Sequence, residues 1–218
     1  MDLKQQILSF LNKDSDFYSL SSNYFEEERE HLENGVNVLT NLILKGLYIQ
    51  TIQKGRKEEM HYMVRASDEV IFTENLNNYY LNEISLVKGS AYVSEIFGQQ
   101  ASDLINEISK FCILKPGTIN RLVNLLASVV LHVLNRIFKL QTNEGSSMFD
   151  QLLGNYSQEI KLPQNLELLL IQTLYYNNIE QNIDLNCTNG KANGSKNDYR
   201  FKDVIPFNSS KQPIQAAR

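Results

Sequence analysis

The stretch that decides the fold is TINRLVNLLASVVLHVLNRIF, residues 118–138. At about 100° per residue, its polar side chains share one helix stripe about 120° wide; they are Arg121, Asn124, Ser128, His132, Asn135 and Arg136. The rest of the circumference carries Leu, Val, Ile, Ala and Phe. Other helices must cover a helix this apolar, because exposing so wide a hydrophobic surface to water is unfavourable. The stretch therefore predicts the central helix of an all-α, multi-helix bundle, wrapped by shorter helices.

Shorter amphipathic segments lie on both sides of this central helix. Their apolar residues recur at intervals of three and four, which is typical of helices that bury one face. The predicted helices cover residues 2–12, 22–53, two segments within 57–88, then 91–97, 102–111, 148–153 and 164–181. Ser22 or Asn23 is expected to cap the long helix at 22–53. Gly89-Ser90 is expected to interrupt the chain, Gly98 to end the next helix, and Thr118 to cap the central one.

Length and composition favour one helical domain followed by a tail. The chain has 218 residues, 42% of them hydrophobic, and its 10 Gly and 4 Pro are too few for a β-sandwich or barrel. Residues 1–183 carry 15 Lys and Arg against 22 Asp and Glu, a net charge of −7, whereas residues 184–218 carry 6 against 3, or +3. We predict a helical domain at 1–160, an additional C-terminal helix at 161–183 and a flexible basic tail at 184–218.

The sequence favours a cytoplasmic protein without a membrane span. The N-terminal segment is amphipathic and lacks the basic start, apolar core and cleavage site of a signal peptide. The chain has no uninterrupted apolar run of about 18 residues. Of the two cysteines, we expect Cys112 to be buried and Cys187 to lie in a polar tail, and both suit a reducing compartment. The acidic helical part disfavours nucleic-acid binding.

No catalytic or metal-binding constellation is apparent in the sequence. The three histidines, His31, His61 and His132, have no second ligand at a convincing metal spacing. The sequence therefore predicts no enzyme activity and no cofactor. Among the core helices, a ligand could bind only at the polar stripe, where Ser128, His132 and Arg136 would line a pocket. We prefer the simpler interpretation, a helix edge in contact with water, because the stripe has no acid to orient a catalytic base.

The basic tail contains one apolar island, YRFKDVIPF, residues 199–207. We predict that its apolar residues dock onto a partner groove or the edge of a sheet; they are Tyr199, Phe201, Val204, Ile205 and Phe207. Two alternatives remain open. The segment folds back on the acidic body of its own chain, or it stays disordered without a role.

The order of these segments resembles the bacterial YidB-like family, domain of unknown function 937. The resemblance is carried by Phe25-Glu-Glu-Glu-Arg with the apolar helix that follows it, and by the stretch 89–138. Within that stretch, Ile96-Phe97-Gly98 and the helix from Thr118 to Leu134 occupy the places of the family's second half. The resemblance implies an all-helical domain packed around a central helix, with no established enzymatic activity.

The chain departs from the family's usual pattern within its helices. Members typically have a Pro there, whereas this chain has Thr40 and Ser128 and few glycines, so the resemblance implies a divergent member. We expect a non-catalytic helical interaction or scaffold protein that binds a protein partner or associates with itself. The alternative is a small-ligand-binding helical domain with a polar pocket at the stripe of the central helix.

Overall fold

The computed structural model describes residues 3–12, 16–67, 83–98, 101–140, 150–156 and 160–187. Within these ranges every regular element is a helix, which confirms the predicted all-α class. In chain order the helices are α1 (Leu3–Leu11), α2 (Phe17–Phe25), α3 (Arg29–Tyr48), α4 (Lys57–Ala66), α5 (Glu83–Phe97), α6 (Ala101–Cys112), α7 (Pro116–Leu140), α8 (150–156) and α9 (Gln164–Cys187). A π-helical turn, Ile49–Gln53, extends α3.

Helix α7 lies at the centre of the bundle, as the sequence predicts. It packs against α1, α3, α4, α5 and α6, most extensively against α5 and α3. Its fully buried side chains are Ile119, Leu122, Leu125, Leu126, Ala127, Val129, Val130, Leu131 and Leu134. Burying one large apolar side chain stabilises a fold by about 1.5–3 kcal/mol. Helix α7 therefore supplies a large share of the hydrophobic free energy of folding.

The predicted long helix at 22–53 is wrong at its start, because the chain forms two helices there. Asp16 caps α2: its carboxylate accepts hydrogen bonds from the amide (3.3 Å) and the hydroxyl (2.6 Å) of the serine three residues later. Glu26 then adopts a left-handed conformation, with φ of 53°, and ends α2. Helix α3 begins at Arg29. Ser22 and Asn23, the predicted caps, lie inside α2.

The predicted interruption at Gly89-Ser90 is also wrong. Helix α5 runs without a break from Glu83 to Phe97. Gly89 is buried, and α5 makes the most extensive contact of any helix with α7. The packing of these two helices therefore outweighs the penalty of about 1 kcal/mol that glycine imposes within a helix. The predicted end at Gly98 is confirmed, because its φ of 77° is a conformation that favours glycine.

The start of α7 is held by a residue that is distant in the sequence. Pro116 is the first residue of the helix, a position that suits proline because an N–H there has no helical partner. Thr118 therefore lies inside α7 and is not its cap. Instead, Oε1 of Glu27 accepts from the Lys115 amide and the Thr118 hydroxyl, both at 2.9 Å. The Lys115 ammonium donates to the carbonyl oxygen of Phe25, 3.1 Å away at the end of α2.

Helix α9 packs mainly against α6, with smaller contacts to α3 and α5. It begins at Gln164, as predicted, but it runs to Cys187, beyond the predicted end at residue 181. Cys187 therefore ends a helix, whereas the sequence placed it in a polar tail. Cys112 at the end of α6 is buried, as predicted, and burial raises the pKa of its thiol to about 11.

Candidate functional site

The polar stripe of α7 is covered along its middle part. Ser128 is 1% exposed and Asn135 is 2% exposed, while Arg121 and Arg136 at its two ends are exposed. The preferred interpretation, a helix edge in contact with water, is therefore wrong for the middle of the stripe. The Ser128 hydroxyl donates to the carbonyl oxygen one turn earlier (3.2 Å), and the Asn135 side chain donates to the Arg65 carbonyl oxygen of α4 (3.3 Å). These bonds offset the cost of burying the two polar groups.

His132 lies where α1 and α4 meet α7. Its ring centroid is 5.2 Å from that of Phe10 in α1, and the two planes are inclined by 48°. It forms a hydrogen bond with the backbone of Ser67, which follows α4. Burial lowers the pKa of the imidazole, the charge of Arg136 lowers it further, and the bond to Ser67 opposes both effects. The neutral imidazole is therefore favoured near pH 7.

A second histidine, which has no metal-ligand partner near it in the sequence, lies at the same interface. His61 of α4 is 8% exposed, and its ring centroid is 6.1 Å from that of Phe138 in α7. Burial is the main cause that lowers its pKa, followed by the charge of Arg65 one turn later. The sequence signal for this site is the run Lys57, His61 and Arg65, because intervals of four place three basic residues on one face of a helix.

We use the name α4–α7 cluster for five residues on the two helices that meet at this interface; they are His61, Arg65, Ser128, His132 and Arg136. It contains the three residues of the predicted pocket and adds two from α4. The carboxylates of Glu58 and Asp150 act on His61. Among the described residues, no carboxylate lies within ion-pair distance of Arg65 or Arg136. The cluster supplies hydrogen-bond donors and positive charge, the groups that bind an anion. Within the described ranges, no three His, Cys, Asp or Glu side chains form a group that could hold a metal ion.

A different surface is exposed on α9. Leu168, Ile171 and Tyr175 are 54%, 39% and 44% exposed, and their spacing of three and four residues places them on one face of the helix. We call these three residues the α9 stripe. The opposite face is buried in the bundle core, through Leu166, Leu170 and Leu174. The sequence signal was the run of four apolar residues at 168–171, which puts apolar side chains on the exposed as well as the buried side of the helix. The exposed side also carries Gln164 and Gln172.

Two cationic side chains fix α9 in place. Lys45 of α3 pairs with Glu167 at 3.5 Å. Lys54, just after the π-helical turn, donates to the backbone carbonyl oxygen of Leu174, and its ammonium lies 5.2 Å from the ring centroid of Tyr175. Burial lowers the pKa of Lys54, and the charge of Arg56 adds to this effect. The α9 stripe is therefore presented on a helix with defined orientation.

The α4–α7 cluster falls in the part of the chain that a family model also matches. The model described as "Bacterial protein of unknown function (DUF937)" matches residues 8–137. The chain belongs to this family. The match confirms the resemblance seen in the sequence, and it runs from α1 into α7. Comparisons with curated proteins and with solved structures gave no match.

Only one of the two surfaces lies within the residues that the DUF937 model matches. The α4–α7 cluster lies inside this match, whereas α9 with its stripe lies beyond its end. Among the described helices of this DUF937 protein, Pro116–Lys139 in α7 is long and apolar enough to cross a membrane by length and composition, but 78% of its apolar window is buried inside the bundle. The predicted docking residues of the tail lie outside the described residues; they are Tyr199, Phe201, Val204, Ile205 and Phe207.

Proposed function

We propose that this DUF937 protein is a non-catalytic interaction protein that binds a protein partner through the α9 stripe. The observation that carries the proposal is the exposure of Leu168, Ile171 and Tyr175 on one helix face. Large apolar side chains grouped on a surface mark binding sites, whereas single ones are common on any protein. A spacing of three and four residues is the anchor pattern of a helix that inserts into a groove.

The attachment of α9 to the bundle supports this role. Its buried face and the contacts of Lys45 and Lys54 hold the helix before any partner arrives. A partner therefore does not have to order the helix, and less of the interaction free energy is lost on binding. Tyr175 also suits an interface, because a tyrosine ring buries a large area and keeps a polar tip for a hydrogen bond.

Charge suggests the chemistry of the partner. Helix α9, Gln164–Cys187, contains Glu167, Glu180 and Asp184 and neither Lys nor Arg, so its net charge is −3. A partner with an apolar groove and a basic rim complements this helix, because opposite charges at the rim favour the correct encounter. We place this interaction in the cytoplasm, where the buried thiol of Cys112 is compatible with a reducing environment.

The proposal can be tested by making the α9 stripe polar in the full-length chain. The variant carries Leu168→Gln, Ile171→Gln and Tyr175→Gln, and the matched control carries Tyr62→Gln and Val87→Gln, two exposed apolar residues on α4 and α5. We expect wild type and control to capture the same partners from native lysate and the stripe variant to lose them. Unchanged capture and an unchanged molar mass by light scattering in the stripe variant would refute the proposal.

The α4–α7 cluster favours a second candidate, binding of a small anionic ligand. Arg65 and Arg136 are exposed, and their charges act on His61 and His132 respectively. A bound carboxylate or phosphate would pair with either guanidinium. A thermal-shift screen with phosphate and carboxylate compounds tests it. A stabilising compound should lose its effect when Arg65 and Arg136 are both replaced by Gln, and Lys110→Gln on α6 serves as the control. No shift with any anion would exclude this candidate.

A further inference from the structure

We infer that the α9 stripe is covered by the chain's own C-terminal segment 199–207, which competes with the partner. This inference rests on the proposed function, since it names the first occupant of the same surface. The segment YRFKDVIPF carries three aromatic residues, one Val and one Ile. In an extended chain Tyr199, Phe201, Ile205 and Phe207 would lie on one side, with Asp203 between them, because alternate residues share a side. A row of apolar side chains matches the row on α9.

The connecting chain is long enough for this contact. Tyr175 lies 12 residues before Cys187, the last residue of α9, which corresponds to about 18 Å along the helix. The 11 residues 188–198 connect Cys187 to the segment and can span up to about 36–40 Å when extended. The segment can therefore return along α9 to all three residues of the stripe. Tethering also raises its effective concentration at the stripe into the millimolar range.

The charges of the two elements are complementary. Of the three acids of α9, Glu167 beside Leu168 is already paired with Lys45. The negative charge that remains for the tail is that of Glu180 and Asp184, which lie between the stripe and the end of the helix. Residues 188–218 contain six Lys and Arg against two Asp, a net charge of +4. In the extended segment Arg200 and Lys202 would lie on the side opposite the apolar row, so the attraction acts through the tail as a whole. Electrostatic attraction thus favours the return of the tail to α9.

A second copy of the chain is a poorer occupant of the stripe. A symmetric dimer places the same surface of each copy against the other. The stripe of one copy would then meet the stripe of the next, and neither α9 has a Lys or Arg that could pair with the acids of the other. The tail has the opposite charge and needs no second molecule, so it reaches the stripe first.

Disulfide trapping in the full-length chain tests the inference. One variant carries Ile171→Cys with Phe201→Cys, and the matched control carries Val87→Cys with Phe201→Cys, since Val87 is 69% exposed on α5. Both also carry Cys187→Ser; Cys112 is retained because it is buried and its thiol is protonated. We expect the intramolecular disulfide to form roughly tenfold faster at position 171 than at position 87, because docking raises the local concentration. Added salt should reduce this difference by screening the charges.

The outcomes separate the inference from the proposed function. Equal trapping rates for the two pairs overturn the inference, and disulfides formed only between molecules overturn it in favour of a second copy. Replacement of Tyr199 and Phe207 by Ser should lower the rate at position 171 to that of the control, and an unchanged rate would also contradict docking. If trapping succeeds but the stripe variant captures the same partners as wild type, the proposed function fails while the inference stands. If trapping fails and partner capture depends on the stripe, the inference fails while the proposed function stands.

Discussion

Replacing Gly46 by alanine is expected to destabilise the bundle. Gly46 lies in α3 where this helix meets the end of α5. A Cβ atom at this position would lie 2.7 Å from Cγ2 of Ile96 and 2.9 Å from Cε1 of Phe97. Neither neighbour can move aside easily, because Ile96 is 0% exposed, Phe97 is 2% exposed, and Cγ2 is fixed directly to the Cβ of Ile96.

The magnitude follows from two opposing effects. An extra methyl group in a packed core costs about 1–3 kcal/mol, and two contacts below 3.0 Å place Gly46→Ala in the upper half of that range. Alanine recovers about 1 kcal/mol through its higher helix propensity. The net loss in the free energy of unfolding is therefore about 1–2 kcal/mol, or about 2–8 °C in Tm for a chain of this size.

The assay is thermal and urea unfolding followed by circular dichroism, with Gly117→Ala as the control. A Cβ at Gly117 in the first turn of α7 meets no atom within 4 Å. Alanine there should leave stability unchanged or raise it by up to about 1 kcal/mol. The two substitutions are chemically identical and are predicted to differ in sign. If Gly46→Ala is as stable as Gly117→Ala, the close approach of α3 to Ile96 and Phe97 is refuted.

Three further predictions concern a capping carboxylate, a pair of histidines and a buried thiol. Glu27→Ala should cost about 1 kcal/mol in urea unfolding because α7 loses its cap, whereas Glu28→Ala, whose side chain is 79% exposed, should change stability by less than about 0.5 kcal/mol. Because the pKa values of His61 and His132 are lowered from 6.5 in the folded chain, the unfolded chain binds more protons below pH 6.5. Stability should therefore fall as the pH decreases through 6.5 and level off below the folded pKa values. Replacing both histidines by Asn should flatten this part of a Tm–pH curve. An unchanged slope in the double variant would contradict the prediction. In a Cys187→Ser background, Cys112 should react with a thiol reagent only after unfolding, and rapid labelling of the native protein would disprove its burial.

The helices that the sequence located correctly are those with a strong local pattern. The apolar circumference of residues 118–138 predicts a central helix, and α7 is central because nothing except other helices can cover that surface. Gly98 ends α5 because glycine, which has no Cβ, adopts the positive φ of this position without strain. Cys112 is buried as a small hydrophobic residue on the apolar face of α6.

The errors lie where contacts between distant residues compete with local preference. Gly89-Ser90 has the composition of a break, yet α5 continues through it because the helix packs against α7. Thr118 has the chemistry of a cap, but the start of α7 is capped by Glu27, which lies in the turn between α2 and α3. Neither outcome can be predicted from a short window of sequence, because both depend on which helices become neighbours.

The candidate surfaces show the same division. The sequence located Ser128, His132 and Arg136 on one stripe of α7, but it could not show that Asn135 of this stripe bonds to α4. Nor could it show that His61 of α4 packs against Phe138 of α7. The apolar composition of segment 199–207 is evident in the sequence, whereas the surface that it is proposed to cover is defined by which face of α9 the bundle buries.

The sequence by itself determined the class of the fold, the position of its central helix and the family, because these depend on hydrophobic periodicity and composition within single segments. Only the tertiary structure decided which apolar residues of α9 remain exposed. Leu170 and Leu168 differ by two positions and have the same side chain, yet one is fully buried and the other is 54% exposed. The physical reason is that a side chain is buried only where a second surface packs against it, and that second surface is supplied by residues far away in the chain.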